Sequence, residues 1–419
     1  MLKVLAQSWP LLLGVMLLMV GNGVQGSLLG IRGAMEGFST TQLSVVMSAY
    51  FLGFLGGARL APEMIRRVGH VRVFSALGSM ISAVLVLYPL LIDWQAWALM
   101  RVLIGFCFSG IYVTAESWLN NTASNETRGQ ALSAYMIVQM LGIIASQGLL
   151  AMGDPEGFGL FIIPSVLVSL AFMPILLADT PAPTFTTIQG MSFRRLFVIS
   201  PLGCAGMLLT GGIFSALFGM AAVWGAMSGL RIGQIAAFVA ALYVGGLVLQ
   251  YPVGWASDRM DRRQLVMALS GVGALAMAVA AALTLPFTLL LIVAFVLGGT
   301  INPLYSLLIA HTNDYLGKDD MASASAGLIF LNGFGAIFGP LVSGWMMQHI
   351  GPRGFFLFIG LLFAALAAYA GWRTTRRAAP VAGGYTGLTP TASSLAVEAV
   401  LDKEAQREAQ REARGPVAG

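Results

Sequence analysis

Gly254-Trp-Ala-Ser-Asp-Arg-Met-Asp-Arg-Arg263 places five charged residues in ten positions, between two stretches, 233–255 and 265–284, that contain none. A charge-dense turn between two uncharged apolar runs is the pattern of a chain that crosses a bilayer, emerges and returns. Working outward, the same alternation recurs to both ends of the apolar region. The spans read as 9–30, 41–61, 71–92, 95–117, 129–151, 157–178, 198–221, 233–255, 265–284, 286–310, 324–346 and 354–372. At about 1.5 Å per helical residue, each is long enough to cross about 30 Å of hydrocarbon with some tilt.

Composition agrees. Of 419 residues, 57% are hydrophobic and 10% charged, with a mean hydropathy of +0.82. Soluble chains carry roughly 25% charged residues, so an ordinary globular domain is excluded. The 51 glycines and 17 prolines sit among apolar segments, where they suit close helix packing and local breaks. The first apolar run follows one early lysine but is longer than an export-signal core and lacks a small-residue cleavage pattern, so it reads as a retained span. A net charge of +5 and a pI near 9.4 arise from bases in membrane-adjacent loops, so no nucleic-acid partner is expected. Cys107 and Cys204 lie in apolar segments and read as packing residues. His70, His311 and His349 are too dispersed for a metal cluster, and no compact reactive arrangement appears. Neither metal, cofactor nor enzymatic activity is expected.

Alternate loops differ sharply in charge. One set holds Lys3, Arg66, Arg67, Arg72, Arg128, Arg194, Arg195, Arg259, Arg262, Arg263, Lys318, Arg373, Arg376 and Arg377, and the other only Arg32, Arg231 and Arg353. The positive-inside bias makes the first side cytoplasmic and, with an even span count, puts both termini there. That bias and the compact loops point to a bacterial inner membrane. The sequons at Asn120 and Asn125 fall on this side, where no glycan is expected. The Pro/Thr-rich connection after the sixth span separates a six-helix half, 1–178, from a second, 198–372, with a cytoplasmic linker at 179–197. A polar tail, 373–419, offers no apolar face for a core.

The halves look like copies. Tyr112 and Tyr305 are 193 residues apart, as are Asn120 and Asn313, Gln139 and Asn332, and Gly142 and Gly335. The expected fold is an all-α membrane protein of twelve transmembrane helices in two six-helix pseudo-symmetric halves. Such halves can bind a solute near the midplane and rock to expose it to each side in turn.

The stretch from Gly254 to Arg263, between the second and third spans of its half, closely resembles the loop motif of major facilitator superfamily transporters. Its first-half counterpart is Arg59-Leu-Ala-Pro-Glu63-Met-Ile-Arg66-Arg67-Val-Gly69-His70, which keeps an acid, a basic pair and a glycine but has Arg59 where the other copy has Gly254. The resemblance implies paired conformational latches at Glu63, Arg66 and Arg67 and at Gly254, Asp258, Arg259, Arg262 and Arg263. Arg101, four residues before Gly105, resembles a further element of the family; a buried arginine implies coupling, anion steering or a structural ion pair. Glu116-Ser-Trp-Leu-Asn and Val68-Gly-His-Val-Arg72 are similar to a bacterial subgroup of poorly assigned inner-membrane carriers. The family's antiporter signature expects a Gly-Pro pair in the fifth span, where Gln139–Gly148 has no proline, so drug–proton antiport is disfavoured.

Polar residues inside apolar helices mark the candidate cavity. These are Asn22 and Gln25 in the first span, Tyr112 in the fourth, Gln139 and Gln147 in the fifth, Tyr243 and Gln250 in the eighth, Asn302 and Tyr305 in the tenth and Asn332 in the eleventh. Interhelical hydrogen bonding is the alternative for each. Glu116, four residues after Tyr112, reads as a proton carrier facing the same cavity or as an interfacial carboxylate. Arg32 and Glu36 read as a surface pair or as lining an outer vestibule, Trp224 as an interfacial anchor or cavity residue, and His311 and Asp314 as gate hydrogen-bonders or a proton shuttle. The expected function is a monomeric secondary active transporter of a small organic solute, driven by its own or a proton gradient. The alternatives are a hydrophobic-compound efflux carrier and a nontransporting membrane sensor or assembly protein.

Overall fold

The computed structural model describes residues 2–122, 128–177 and 191–376. The expectations for the linker over 179–190, for the tail beyond 376 and for Asn125 lie outside the described residues, as do the side chains of Asn120, Arg128 and Lys318. Among the described residues the secondary structure is helical, as a lipid-exposed chain requires, because hydrocarbon offers no partner for a free backbone N–H or C=O. Twelve helices are long and apolar enough to span: Ser8–Met35, Thr40–Val68, His70–Leu87, Trp94–Leu119, Gln130–Met152, Gly159–Leu176, Pro201–Met227, Ile232–Ser257, Arg262–Ala282, Phe287–Asn313, Ser323–Ile350 and Arg353–Thr374.

Several helices outrun the apolar stretches that announce them. The second continues through Pro62 to Val68 and so carries Glu63, Arg66 and Arg67 on helix rather than in a loop. It stops at Gly69, whose φ of +84° an L side chain rarely adopts. The sixth is interrupted after Leu170 and resumes at Met173.

Each half repeats one packing scheme. The first span packs on the fifth, the second on the fourth and the third on the sixth; the seventh packs on the eleventh, the eighth on the tenth and the ninth on the twelfth. The closest crossings repeat residue by residue. A Cβ on Gly53 or Gly105 would lie 1.9 Å from the carbonyl oxygen of Val102 or Tyr50, and one on Gly245 or Gly298 would lie 1.9 or 1.7 Å from that of Phe295 or Leu242. Likewise Gly142 faces the Met16 carbonyl and Gly335 the Leu208 carbonyl. Small residues let these backbones touch where lipid supplies no hydrophobic drive to associate. By these contacts the fourth and tenth, and the fifth and eleventh, spans correspond at an offset of 193, while the first and seventh and the second and eighth correspond at 192, which puts Pro62 rather than Arg59 at the place of Gly254.

The halves meet along the second and eleventh spans and along the fifth and eighth. At the end away from the linker they are in contact. Gly344 abuts Ser44 and the Thr40 carbonyl, Gly30 abuts Ala222 and Val223, and the Ser48 hydroxyl donates to the Ile337 carbonyl at 2.5 Å.

Candidate functional site

Between the halves lies a cavity of about 850 Å³. Its wall begins near mid-height at Asn22, Ser27 and Gln147 and reaches Arg59, Pro62 and Phe193 at the end that carries the linker. Arg59 and Phe193 are exposed, so the cavity communicates with the surroundings at that end, while the contacts at Ser44, Gly30 and Ser48 close the other.

Two aromatic groups face each other across it. Tyr50, Phe54 and Tyr112 come from the first half, with the Phe54 and Tyr112 rings 6.0 Å apart. Phe214, Phe218 and Tyr243 come from the second, at successive ring separations of 4.6 Å. Polar groups are set between them. The Asn22 amide donates to the Tyr112 hydroxyl at 3.3 Å, and that hydroxyl reaches the Met19 sulfur at 3.4 Å. Gln147 accepts from the Ser27 hydroxyl at 3.1 Å and donates to the Gly23 carbonyl at 3.3 Å, which pins the first span to the fifth. Asn302 donates to the Gly298 carbonyl of its own helix at 3.0 Å, and Asn332 crosses to the Met207 carbonyl at 3.1 Å. Each amide donor is thus used within the protein, as low-dielectric surroundings demand.

Of the residues singled out by sequence, Asn22, Tyr112, Gln139, Gln147, Tyr243, Asn302, Asn332 and Arg101 line the cavity. Gln25, Gln250 and Tyr305 do not. Gln25 is turned away to donate to the Tyr88 hydroxyl at 3.1 Å and to accept from Arg101 at 2.8 Å. Gln250 donates to the Ser306 hydroxyl at 3.2 Å between the eighth and tenth spans, and Tyr305 is fully buried in the core. Glu116 is also fully buried but off the cavity, because the fourth span's share of the wall ends at Val113. Trp224 is neither anchor nor cavity residue; it is buried against Phe238, Phe355 and Phe356. Arg32 pairs with Glu36 and donates to the Pro155 carbonyl at 3.0 Å, a structural role. Tyr50, Phe54, Arg59, Phe214 and Phe218 went unnoticed in sequence as cavity residues. The signal was available as aromatic pairs four apart, but in an apolar helix that spacing equally describes packing.

The two charged stretches expected to act as latches differ in their contacts. Glu63 accepts from Arg66 at 2.6 and 2.7 Å and from Arg67 at 2.6 Å, all on one exposed helix end. In the second half Arg262 is buried. It pairs with Asp314 and donates to the Ser257 hydroxyl at 3.1 Å and the Ala310 carbonyl at 3.2 Å, tying the eighth, ninth and tenth spans together. Asp261 caps the ninth span and binds Arg263 at 2.6 Å, and this guanidinium holds its carboxyl below the usual aspartate range. Arg259 lies over the Trp255 ring at 4.2 Å and Gly254 is buried at the helix end, where the Asp258 N–H donates to its carbonyl. Among the described residues no group of three or more His, Cys, Asp or Glu is arranged to hold a metal ion.

Twelve spans in two repeated halves around a midplane cavity define a transporter architecture. Known proteins agree. A family profile described as "Major Facilitator Superfamily" matches residues 209–403, and one described as "Sugar (and other) transporter" matches residues 20–192. Along both halves the chain is similar to transporters of the major facilitator superfamily. It is 26% identical over 357 residues to the "uncharacterized MFS-type transporter YcaD" of Escherichia fergusonii, covering 83% of this chain and 91% of that protein. An "uncharacterized MFS-type transporter" of Yersinia pestis is 26% identical over 381 residues, covering 86% and 95%. Among solved structures, the nucleoside transporter NupG superposes with a TM-score of 0.73 at 14% identity, covering 88% of this chain and 99% of that one. A D-xylose–proton symporter does so with a TM-score of 0.68 at 13% identity, covering 88% and 97%. At such identities these structures show the fold.

Proposed function

We propose that this chain is a secondary carrier that moves a small organic solute across a bacterial inner membrane by alternating access. The observation that carries this reading is the cavity, walled by both halves, reaching one end of the molecule and closed at the other. The charge distribution supports a cytoplasmic linker end, and on that reading the cavity is inward-facing. One chain supplies both walls, so a monomer suffices. Solute enters between the aromatic groups, meets the amides of Asn22, Gln147, Asn302 and Asn332, and favours the arrangement in which the halves close over it. Rocking separates Ser44 from Gly344 and brings the linker-end loops together, where Glu63, Arg66 and Arg67 are free to exchange their local contacts for ones to the other half.

Coupling to protons falls to Glu116, a buried carboxylate one turn from the cavity wall, whose ionisation would respond to hydration as the halves move. The test is counterflow in proteoliposomes containing the purified protein and a labelled metabolite pool, with and without an imposed proton gradient. The expected result is saturable exchange, with gradient-driven accumulation lost in Glu116→Gln while exchange remains. Ligand binding without any exchange in sealed vesicles would support a sensor instead.

A further inference from the structure

We infer that the solute is an organic monoanion, a carboxylate on an apolar or aromatic body, and that Arg101 is the group that binds its charge. This deepens the carrier reading above and rests on it.

The observation is a buried cation without a counter-charge. Arg101 is 5% exposed, lies deep in the fourth span and forms part of the cavity wall. Its contacts are all to neutral groups: the Gln25 carbonyl oxygen at 2.8 Å, the Met47 sulfur at 3.6 Å and the Tyr50 ring, 4.7 Å from the guanidinium carbon. Among the described residues its Nε–H has no acceptor. Among the described residues no Asp or Glu stands within ion-pair distance of it. A guanidinium carries five donors and stays charged, so burying it against one amide, a thioether and a ring leaves a cost that neutral partners do not offset. Such a group persists where something outside the chain completes it.

The rest of the wall says what that something is. Among the described residues its charged members are Arg101 and, at the exposed mouth, Arg59, with no acid, lysine or histidine beside them. The cavity therefore draws anions in and holds them at one point. A single unfilled N–H beside a weakly held Nη2 matches one carboxylate better than a dianion, which would need further donors. The facing aromatic groups at Tyr50, Phe54 and Tyr112 and at Phe214, Phe218 and Tyr243 suit a flat or apolar body. Gln25 acts as a positioning residue: held by Tyr88, it fixes the guanidinium without neutralising it.

The test uses benzoate, phenylacetate and hippurate, each against its neutral amide, with benzylamine as the cationic control. Binding to the purified full-length carrier is read by thermal shift and by titration of tryptophan fluorescence, and labelled hippurate is followed into proteoliposomes. Carboxylates should stabilise the wild-type protein and bind about tenfold or more tighter than their amides, a difference of about 1.4 kcal/mol or more. Arg101→Gln should abolish that preference without lowering the melting temperature of the ligand-free protein, and Arg101→Lys should keep part of it. Gln25→Glu, which supplies the missing carboxylate from within, should raise the ligand-free melting temperature and suppress anion binding. A panel in which no carboxylate exceeds its amide overturns the inference. So does an Arg101→Gln protein that melts lower but keeps the preference, because Arg101 would then be a structural pin. If neutral solutes are carried and carboxylates are not, the anion assignment fails and the carrier stands. If carboxylates bind through Arg101 yet nothing is exchanged, the carrier reading fails and the anion site stands.

Discussion

The two halves share a backbone and differ in what they bury. Where the first half sets Gln25, Tyr50 and Arg101 together, the contacts that align the halves put Leu217, Leu242 and Ala294, each fully buried, at the corresponding places in the second. The glycine crossings are retained in both: Gly53 with Gly105, Gly245 with Gly298. At the linker end the contrast reverses, with the second half burying its charge pair, Arg262 with Asp314, while the first leaves Glu63, Arg66 and Arg67 at the surface. Duplication thus supplies the scaffold, and divergence of a few side chains makes one wall of the cavity cationic and buries one of the two linker-end charge clusters.

The shared part should be the most sensitive. Gly105→Val and Gly298→Val both drive a side chain into a carbonyl oxygen of the neighbouring helix, and each should cost about 3 kcal/mol or more, read as lost monodisperse protein after purification. If one half tolerates the change, the two crossings are not equivalent. The latches should separate next. Arg262→Ala removes the cationic partner of the buried Asp314 carboxylate and should destabilise by about 3–5 kcal/mol. Arg66→Ala removes an exposed pair and should leave the melting temperature in the same detergent nearly unchanged.

A double-mutant cycle sharpens the comparison at the cavity. Gln25→Leu, copying Leu217, removes the one good acceptor of Arg101 and should destabilise by about 1–3 kcal/mol. In an Arg101→Ala background, copying Ala294, the same change should cost far less, and equal costs in both backgrounds would uncouple the pair.

The smallest effect is at Asp261, whose carboxyl is held low by Arg263. A depressed folded pKa contributes stability above the ordinary aspartate range that is lost as pH falls through the folded value. Asp261→Asn should therefore remove part of the acid-side fall in melting temperature and leave its neutral-pH slope unchanged.

The spans, their pairing into halves and seven of the ten candidate cavity residues were legible in the sequence, because a charge in hydrocarbon is conspicuous and polar residues there must find partners. What escaped depended on direction. Tyr112 and Glu116 share a helix face by spacing, yet the wall stops between them; Gln25 lies one turn from the cavity-lining Asn22 but is claimed by Tyr88 and Arg101. The aromatic groups were invisible for another reason: Phe214 and Phe218 have the spacing of packing residues, and only the opposing half shows that they face a void.

Alternating access requires that the cavity be exposed at its two ends in turn. With Cys107 and Cys204 replaced by serine, single cysteines at Ala58, on the cavity wall, and at Ser44, packed against Gly344, report the linker end and the opposite end. Maleimide labelling during counterflow should show Ala58→Cys becoming protected as Ser44→Cys becomes reactive. Reactivities that stay fixed, or that rise and fall together, would contradict alternating access.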